Sequence, residues 1–200
     1  RRDCRMNLPT KITVARLALI PVFIVLYLIP FPYHTVFATA VFIVASLTDW
    51  LDGYLARKNN MVTTLGKFLD PVADKVLVAC ALVLAAVIVT ENTAFQTAII
   101  VCTVIILARE LIITCFRTIA ATKNVIMAAD KIGKLKTTTQ LIGLIFYMPH
   151  KEIYLINSVA GDVFFYAGFA FLMIATVLTI VSAINYIVRN RSVLTEDHAE

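Results

Sequence analysis

Asp49-Trp50-Leu51-Asp52-Gly53-Tyr54-Leu55-Ala56-Arg57, eight further residues, then Gly66-Lys67-Phe68-Leu69-Asp70-Pro71-Val72-Ala73-Asp74 is the stretch that decides the fold. It holds four of the chain's thirteen acidic residues, and long apolar runs flank it on both sides. Asp49 and Asp52 are three residues apart, Asp70 and Asp74 four apart. On α-helices those spacings share a face, offset by roughly 40–60°. Two helices joined by a short turn would then aim four carboxylates at one point. Isolated carboxylates at membrane depth are costly, so they pair, coordinate a ligand or line a wet cavity. Four together repel strongly unless a divalent cation sits between them.

The flanking runs identify the solvent. Hydrophobic residues make up 60% of the 200, with mean hydropathy +0.85, whereas soluble domains hold about 45–50%. Windows of roughly 20 apolar residues recur, the length that crosses a ~30 Å hydrocarbon core. The runs are continuous, which excludes the short alternating segments of a β-barrel. The chain therefore reads as an all-α polytopic membrane protein. Cys4, Cys80, Cys102 and Cys115 lack metal-ligand spacing, and three of them lie inside apolar runs as small buried hydrophobes. They imply no disulfide framework. The first apolar run has no small-residue cleavage site, so it reads as a retained span. Residues 1–5 precede Met6, which reads as a natural start, and are expected to be a remnant outside the fold.

Six transmembrane helices are predicted: Val14 to Pro30, Thr35 to Arg57, Gly66 to Thr90, Ala94 to Ala121, Ile132 to Met148, and one within Ile153 to Val188. The last segment has room for an interfacial lead-in, with Gly161-Asp162 as a candidate join. Residues 6–188 form a single catalytic membrane domain on this reading, and 189–200 a flexible polar tail. Six spans put both termini on one side. Of eighteen Lys and Arg residues only Lys151 falls on the other side, so both termini are expected to be cytoplasmic. The net charge of +5 then follows from topology, suits anionic lipids and needs no nucleic acid.

The same topology sets depth. At 1.5 Å per residue, Asp49 and Asp52 lie about 8–12 Å from the cytoplasmic end of the second span, with Asp70 and Asp74 at a similar level on the third. Arg109, Glu110 and Arg117 lie in the cytoplasmic half of the fourth span, and Lys134 and Lys136 open the fifth. The expected active site is thus near the cytoplasmic face, open to the cytosol and to one leaflet. A divalent-cation transporter is the alternative class. It requires polar residues continuing toward the outer face, and the sequence offers only scattered Thr and Ser there.

The pattern Asp-x-x-Asp-Gly-x-x-Ala-Arg, eight residues, Gly-x-x-x-Asp-x-x-x-Asp resembles the signature of the CDP-alcohol phosphotransferase family at every fixed position. The resemblance implies joining an alcohol to the lipid-linked phosphoryl of a CDP-activated lipid, with release of CMP and use of two divalent metals. The all-oxygen donors suit Mg²⁺ or Mn²⁺. By resemblance, Asp49, Asp52, Asp70 and Asp74 are the metal ligands, and Asp74 also takes the alcohol's proton. Gly53 and Ala56 leave room for the nucleotide, Arg57 offers a planar fork to the pyrophosphate, Gly66 allows close helix packing, and Thr63 contacts CDP. A homodimer is implied as well, and small residues on the third and fourth spans allow close helix contacts.

Three further stretches resemble the branch of that family whose substrates are CDP-diacylglycerol and glycerol 3-phosphate. They are Asn7-Leu8-Pro9-Thr10-Lys11-Ile12-Thr13-Val14-Ala15-Arg16, then Ala108-Arg109-Glu110 with Arg117, then Gly133-Lys134-Leu135-Lys136-Thr137. An acceptor carrying its own phosphate needs a second basic site, and Arg109, Arg117, Lys134 and Lys136 lie at suitable depth. Each has a plainer reading. Arg109 and Glu110 could neutralise each other, Lys134 and Lys136 could be positive-inside anchors, and Thr10 and Thr13 could cap the first helix instead of touching CDP. Other acceptors within the family, phosphatidylglycerol or inositol phosphate, stay open. His34 and His150 are expected on the surface in outer turns, Trp50 in packing or an aromatic belt, and Asp130 and Asp162 at loop or interfacial positions.

Overall fold

Each predicted span is a helix in the computed structural model, which describes residues 8–59, 64–88, 92–122 and 131–189, with side chains for 13–48, 72–88, 92–120 and 133–189. The helices are α1 (Leu8–Leu28), α2 (His34–Asn59), α3 (Thr64–Val87), α4 (Thr93–Thr122), α5 (Lys131–Tyr147), α6 (His150–Ile156) and α7 (Ser158–Arg189). The structure is all-helical among the described residues. Two helices, over Thr93–Ala120 and Ser158–Arg189, are long and apolar enough to cross a membrane, and Thr13–Leu28 and His34–Thr48 are shorter apolar ones.

Among the described residues there are seven helices, one for each predicted span and a short one before the last. The lead-in to the last span is a helix of its own, α6, which begins at His150. The break falls at Asn157 rather than Gly161-Asp162. Asn157 is extended (φ −149°, ψ 113°), and its side-chain oxygen accepts the Ala160 N–H at 3.2 Å, capping α7. Gly161 serves packing instead. A Cβ there would overlap the Tyr154 backbone, so α6 and α7 meet backbone to backbone only because residue 161 has no side chain. Asn92 caps α4 in the same way as Asn157 caps α7, accepting the Ala94 N–H at 2.9 Å. Between α1 and α2, Pro30 and Pro32 stop the helix. Tyr33 turns the chain in the left-handed region at φ 63°.

Two compact units result. One gathers α1, α2, α3, α6 and the first turn of α7; the other gathers α4, α5 and α7 from Val163 onward. In the first, α1 packs on both α2 and α3. Its inward stripe is Thr13, Arg16, Ile20, Phe23 and Tyr27, repeating every three or four residues. The stripe changes character along its length: apolar toward Tyr27, polar toward Thr13. In the second unit, Phe95 packs on Phe165 and Phe169 with ring centroids 5.3 and 4.9 Å apart. The opposite end of α4 and α7 forms a small cluster of Ile113, Phe116, Ala120 and Tyr186.

Candidate functional site

The four aspartates occupy the helical positions expected of them. Asp49 and Asp52 lie in the second half of α2, Asp70 and Asp74 in the first half of α3. Helix phase adds what spacing alone did not. Ala38, Phe42 and Ala45 form the buried stripe of α2, and the next positions in that repeat are 49 and 52. On α3 the buried residues Leu77, Ala81 and Leu84 follow in the same repeat from positions 70 and 74. Positions 49, 52, 70 and 74 thus continue the buried repeats of their helices. Asp74, flanked by buried Ala73 and Leu77, is half-buried and engaged with a partner. The side chains of Asp49, Asp52 and Asp70 lie outside those described, as do those of Thr10, Gly53, Ala56, Arg57 and Gly66, and Thr63 lies outside the described residues altogether.

The register of α1 on α2 brings in one residue whose role sequence reasoning missed. Phe23 meets Phe42 and Tyr27 meets His34, with ring centroids 5.8 and 6.5 Å apart, so the two helices run antiparallel. Seven residues beyond the Phe23–Phe42 pair, that register sets Arg16 level with position 49. Ten residues beyond, it sets Thr13 level with position 52. Arg16 is 1% exposed and Thr13 likewise. A guanidinium so deeply buried requires hydrogen-bonding or anionic partners. The sequence placed Arg16 in a motif, but its burial in a helix that packs on α2 and α3 could be seen only from the packing. Thr13 is buried with it, five residues past the helix start, which removes the capping alternative for this residue.

The donor set tests what such a site can hold. Asp49, Asp52, Asp70 and Asp74 offer carboxylate oxygens only, with neither Cys nor His, and that fits a hard divalent cation. Among the described residues, which leave out the side chains of Asp49, Asp52 and Asp70, no group of three His, Cys, Asp or Glu side chains is gathered.

The second unit holds the basic residues. Arg109 Nη1 donates to Glu110 Oε2 at 3.1 Å, and its Nη2 donates to Ser182 Oγ at 2.9 Å. Lys136 Nζ donates to the same Glu110 oxygen at 2.5 Å. Arg117 Nε donates to the Tyr186 hydroxyl at 3.2 Å, and its guanidinium lies 5.3 Å from that ring's centroid. Lys136 is within electrostatic reach of both arginines. α4, α5 and α7 therefore bring Arg109, Arg117 and Lys136 together; Lys136 is buried, Arg109 half-buried, and Arg117 and Lys134 are exposed. The neutralisation weighed for Arg109 and Glu110 is real, but partial. Among the described residues Arg109 and Lys136 share the one carboxylate of Glu110 and Arg117 is held by the neutral Tyr186, so the cluster there carries two more positive charges than negative. Ser182 and Tyr186 were not found in the sequence, because their partners lie 73 and 69 residues away.

The histidines depart from expectation. His150 is buried. His34 Nδ1 lies 3.0 Å from the Tyr27 carbonyl, and its Nε2 lies 3.4 Å from Glu152 Oε1. They pack because α6 folds back onto the start of α2. A cavity of about 680 Å³ opens there, lined by residues that include Phe31, Tyr33, Lys151 and Leu155. Position 49 is fifteen residues along α2 from His34, about 23 Å, so this cavity is separate from the aspartates. Cys102 is buried as expected, whereas Cys115 faces outward. Asp162 is exposed, in keeping with an interfacial position.

Comparison with known proteins bears on this arrangement directly. The sequence profile of the CDP-alcohol phosphatidyltransferase family matches residues 6–188. A Bacillus subtilis (strain 168) protein named CDP-diacylglycerol–glycerol-3-phosphate 3-phosphatidyltransferase is 38% identical over 196 residues, covering 92% of this chain and 95% of the relative. Proteins of the same name from Escherichia coli (strain K12) and Salmonella paratyphi A are each 39% identical over 186 residues, covering 92% of this chain and 94% of their own.

Proposed function

The chain belongs to the CDP-alcohol phosphatidyltransferase family, and from that premise we propose that it transfers the phosphatidyl group of CDP-diacylglycerol to glycerol 3-phosphate. The products are phosphatidylglycerophosphate and CMP. Relatives matched over nine-tenths of both chains bear the name of this activity. The observation that carries the acceptor is the unmatched charge at Arg109, Arg117 and Lys136. Two surplus positive charges match a phosphate monoester, which carries about −1.5 to −2 at neutral pH. A neutral alcohol would give them nothing to bind.

In this mechanism Asp74 accepts the proton of the attacking hydroxyl. The hydroxyl oxygen bonds to the phosphorus that bears the diacylglycerol, the bond from that phosphorus to the bridging pyrophosphate oxygen breaks, and CMP leaves with the electron pair. Asp49, Asp52, Asp70 and Asp74 would hold two divalent ions, Mg²⁺ or Mn²⁺. When bound, these supply charge stabilisation to the pyrophosphate and the departing CMP. Thr10, Thr13, Gly53, Ala56, Arg57, Thr63 and Gly66 receive the CDP moiety, with Arg57 gripping phosphate through its planar fork. Arg109, Arg117, Lys134 and Lys136 hold the acceptor's phosphate.

The membrane arrangement that suits this chemistry has α1–α5 and α7 as six spans, α6 at the interface and both termini in the cytoplasm. The site then faces the cytoplasm from the inner membrane: CDP enters from water while the acyl tails stay in the leaflet. The seventeen Lys and Arg residues assigned to that side support it. A homodimer completes the proposal. Purified protein, CDP-diacylglycerol, labelled glycerol 3-phosphate and Mg²⁺ should yield CMP and labelled phosphatidylglycerophosphate. Turnover with phosphatidylglycerol or inositol phosphate, and none with glycerol 3-phosphate, would reassign the acceptor.

A further inference from the structure

We propose that Ser182 and Tyr186 of α7 are positioning residues that tune the enzyme to a phosphomonoester acceptor by holding Arg109 and Arg117 without neutralising them. The proposal rests on the acceptor reading given above.

Arginine side chains are long and rotamer-rich, and a phosphate site needs their guanidinium planes fixed in advance. A carboxylate would fix them but would also cancel the charge. A hydroxyl fixes them and leaves the charge intact. Arg109 uses both kinds of partner: Glu110 on Nη1 and Ser182 on Nη2. Arg117 is held by the Tyr186 hydroxyl at Nε and lies beside the tyrosine ring. That anchoring leaves its terminal Nη1–Nη2 edge for bidentate contact with phosphate. Arg109 Nε is buried with no hydrogen-bond partner among the described residues, a donor that a ligand oxygen would satisfy.

Helix geometry explains why both hydroxyls come from α7. Ser182 and Tyr186 are four residues apart on one face, and Arg109 and Arg117 are eight apart on α4, so each pair shares a face. Ser182 is 1% exposed. Tyr186 is 5% exposed, packed with Ile113, Phe116 and Ala120, its ring set edge-on to Phe116 with centroids 6.0 Å apart. Neither hydroxyl can swing away without opening the α4–α7 contact. A single α7 face thus fixes two cations from α4, while Glu110 bridges α4 to Lys136 of α5.

The test is steady-state kinetics in both substrates with Ser182→Ala and Tyr186→Phe. The second variant keeps the ring and its packing and removes only the hydroxyl. Each is expected to raise KM for glycerol 3-phosphate about tenfold, with KM for CDP-diacylglycerol and the thermal midpoint unchanged. Both KM values moving together, or a glycerol 3-phosphate KM within about twofold of wild type, would overturn it. If Ser182→Ala fails to fold, Tyr186→Phe decides alone. Arg109→Gln and Arg117→Gln separate the two levels of the claim. If they leave the acceptor KM unchanged, the acceptor reading itself falls. If they raise it while the hydroxyl variants do not, only the role of α7 falls.

Discussion

Two carboxylates, Glu110 and Glu152, each tie together helices distant in sequence, and they do so with opposite electrical results. Glu152 on α6 accepts the Thr35 hydroxyl at 2.8 Å and the Val36 N–H at 3.2 Å through Oε2, with His34 at 3.4 Å from Oε1. It is a cap for the start of α2, donated by another helix, and its negative charge sits at the favourable end of the helix dipole. Its hydrogen-bond donors are a hydroxyl and a backbone amide, so its one negative charge is offset by the amide end of α2 and leaves no surplus of positive charge. Glu110 is shared between Arg109 and Lys136, with Arg117 close by, and two positive charges are left over. The lesson is that a polar cluster between helices should be judged by what its charges leave unmatched. A closed cluster is structure, and an open one is a place for a ligand.

The largest effect is expected at the proposed base, Asp74. Asp74→Asn should lower kcat by about 10²–10⁴-fold, the range for loss of a general base, with the helical fold retained by circular dichroism. Activity surviving that change would refute the assigned base. Next comes the open basic cluster. Arg117→Ala should raise KM for glycerol 3-phosphate by about 10–100-fold, from the loss of a charged hydrogen-bonding contact, and leave KM for CDP-diacylglycerol alone. Equal effects on both would return Arg117 to a structural role.

The closed cluster should behave in the contrary manner. Glu152→Ala strips the cap from α2 and leaves the buried Thr35 hydroxyl and the Val36 N–H without their acceptor. A cost of about 1–3 kcal/mol is expected, read as a lower thermal midpoint in detergent. Neither KM should move. If the acceptor KM rose instead, the division between closed and open clusters would be wrong.

What the sequence made legible follows from what neighbouring residues can encode. The helices were readable because each apolar run is its own signal, and the aspartate positions because three- and four-residue spacings report a shared face. The break at Asn157 was misplaced at Gly161 because glycine serves both turns and close packing, and only the Tyr154 backbone distinguishes them. His34 and His150 were assigned to surface turns because nothing local announces that α6 folds onto α2. Arg16 was visible as a residue but not as a buried cation. Ser182 and Tyr186 lie in an ordinary apolar helix, and their meaning depends on arginines some seventy residues earlier. Spacing within a helix is written in sequence. Register between helices is a result of packing.

The smallest expected effect separates two lysines two residues apart. Lys136 is buried against Glu110 at 2.5 Å, whereas Lys134, on the same turn of α5, is exposed. An exposed charge acts through water and counterions, and at 0.1 M salt its influence fades beyond about 10 Å. Lys134→Ala should therefore raise the acceptor KM by only about two- to threefold, and the difference from wild type should vanish near 0.5 M salt. Lys136→Ala removes a cation that water does not screen and also releases Glu110 from its ion pair. Its effect on the acceptor KM should be larger and should persist at high salt. If the two variants behave alike across the salt series, burial does not set the strength of a lysine in this cluster, and Lys134 must be counted with the surplus charge.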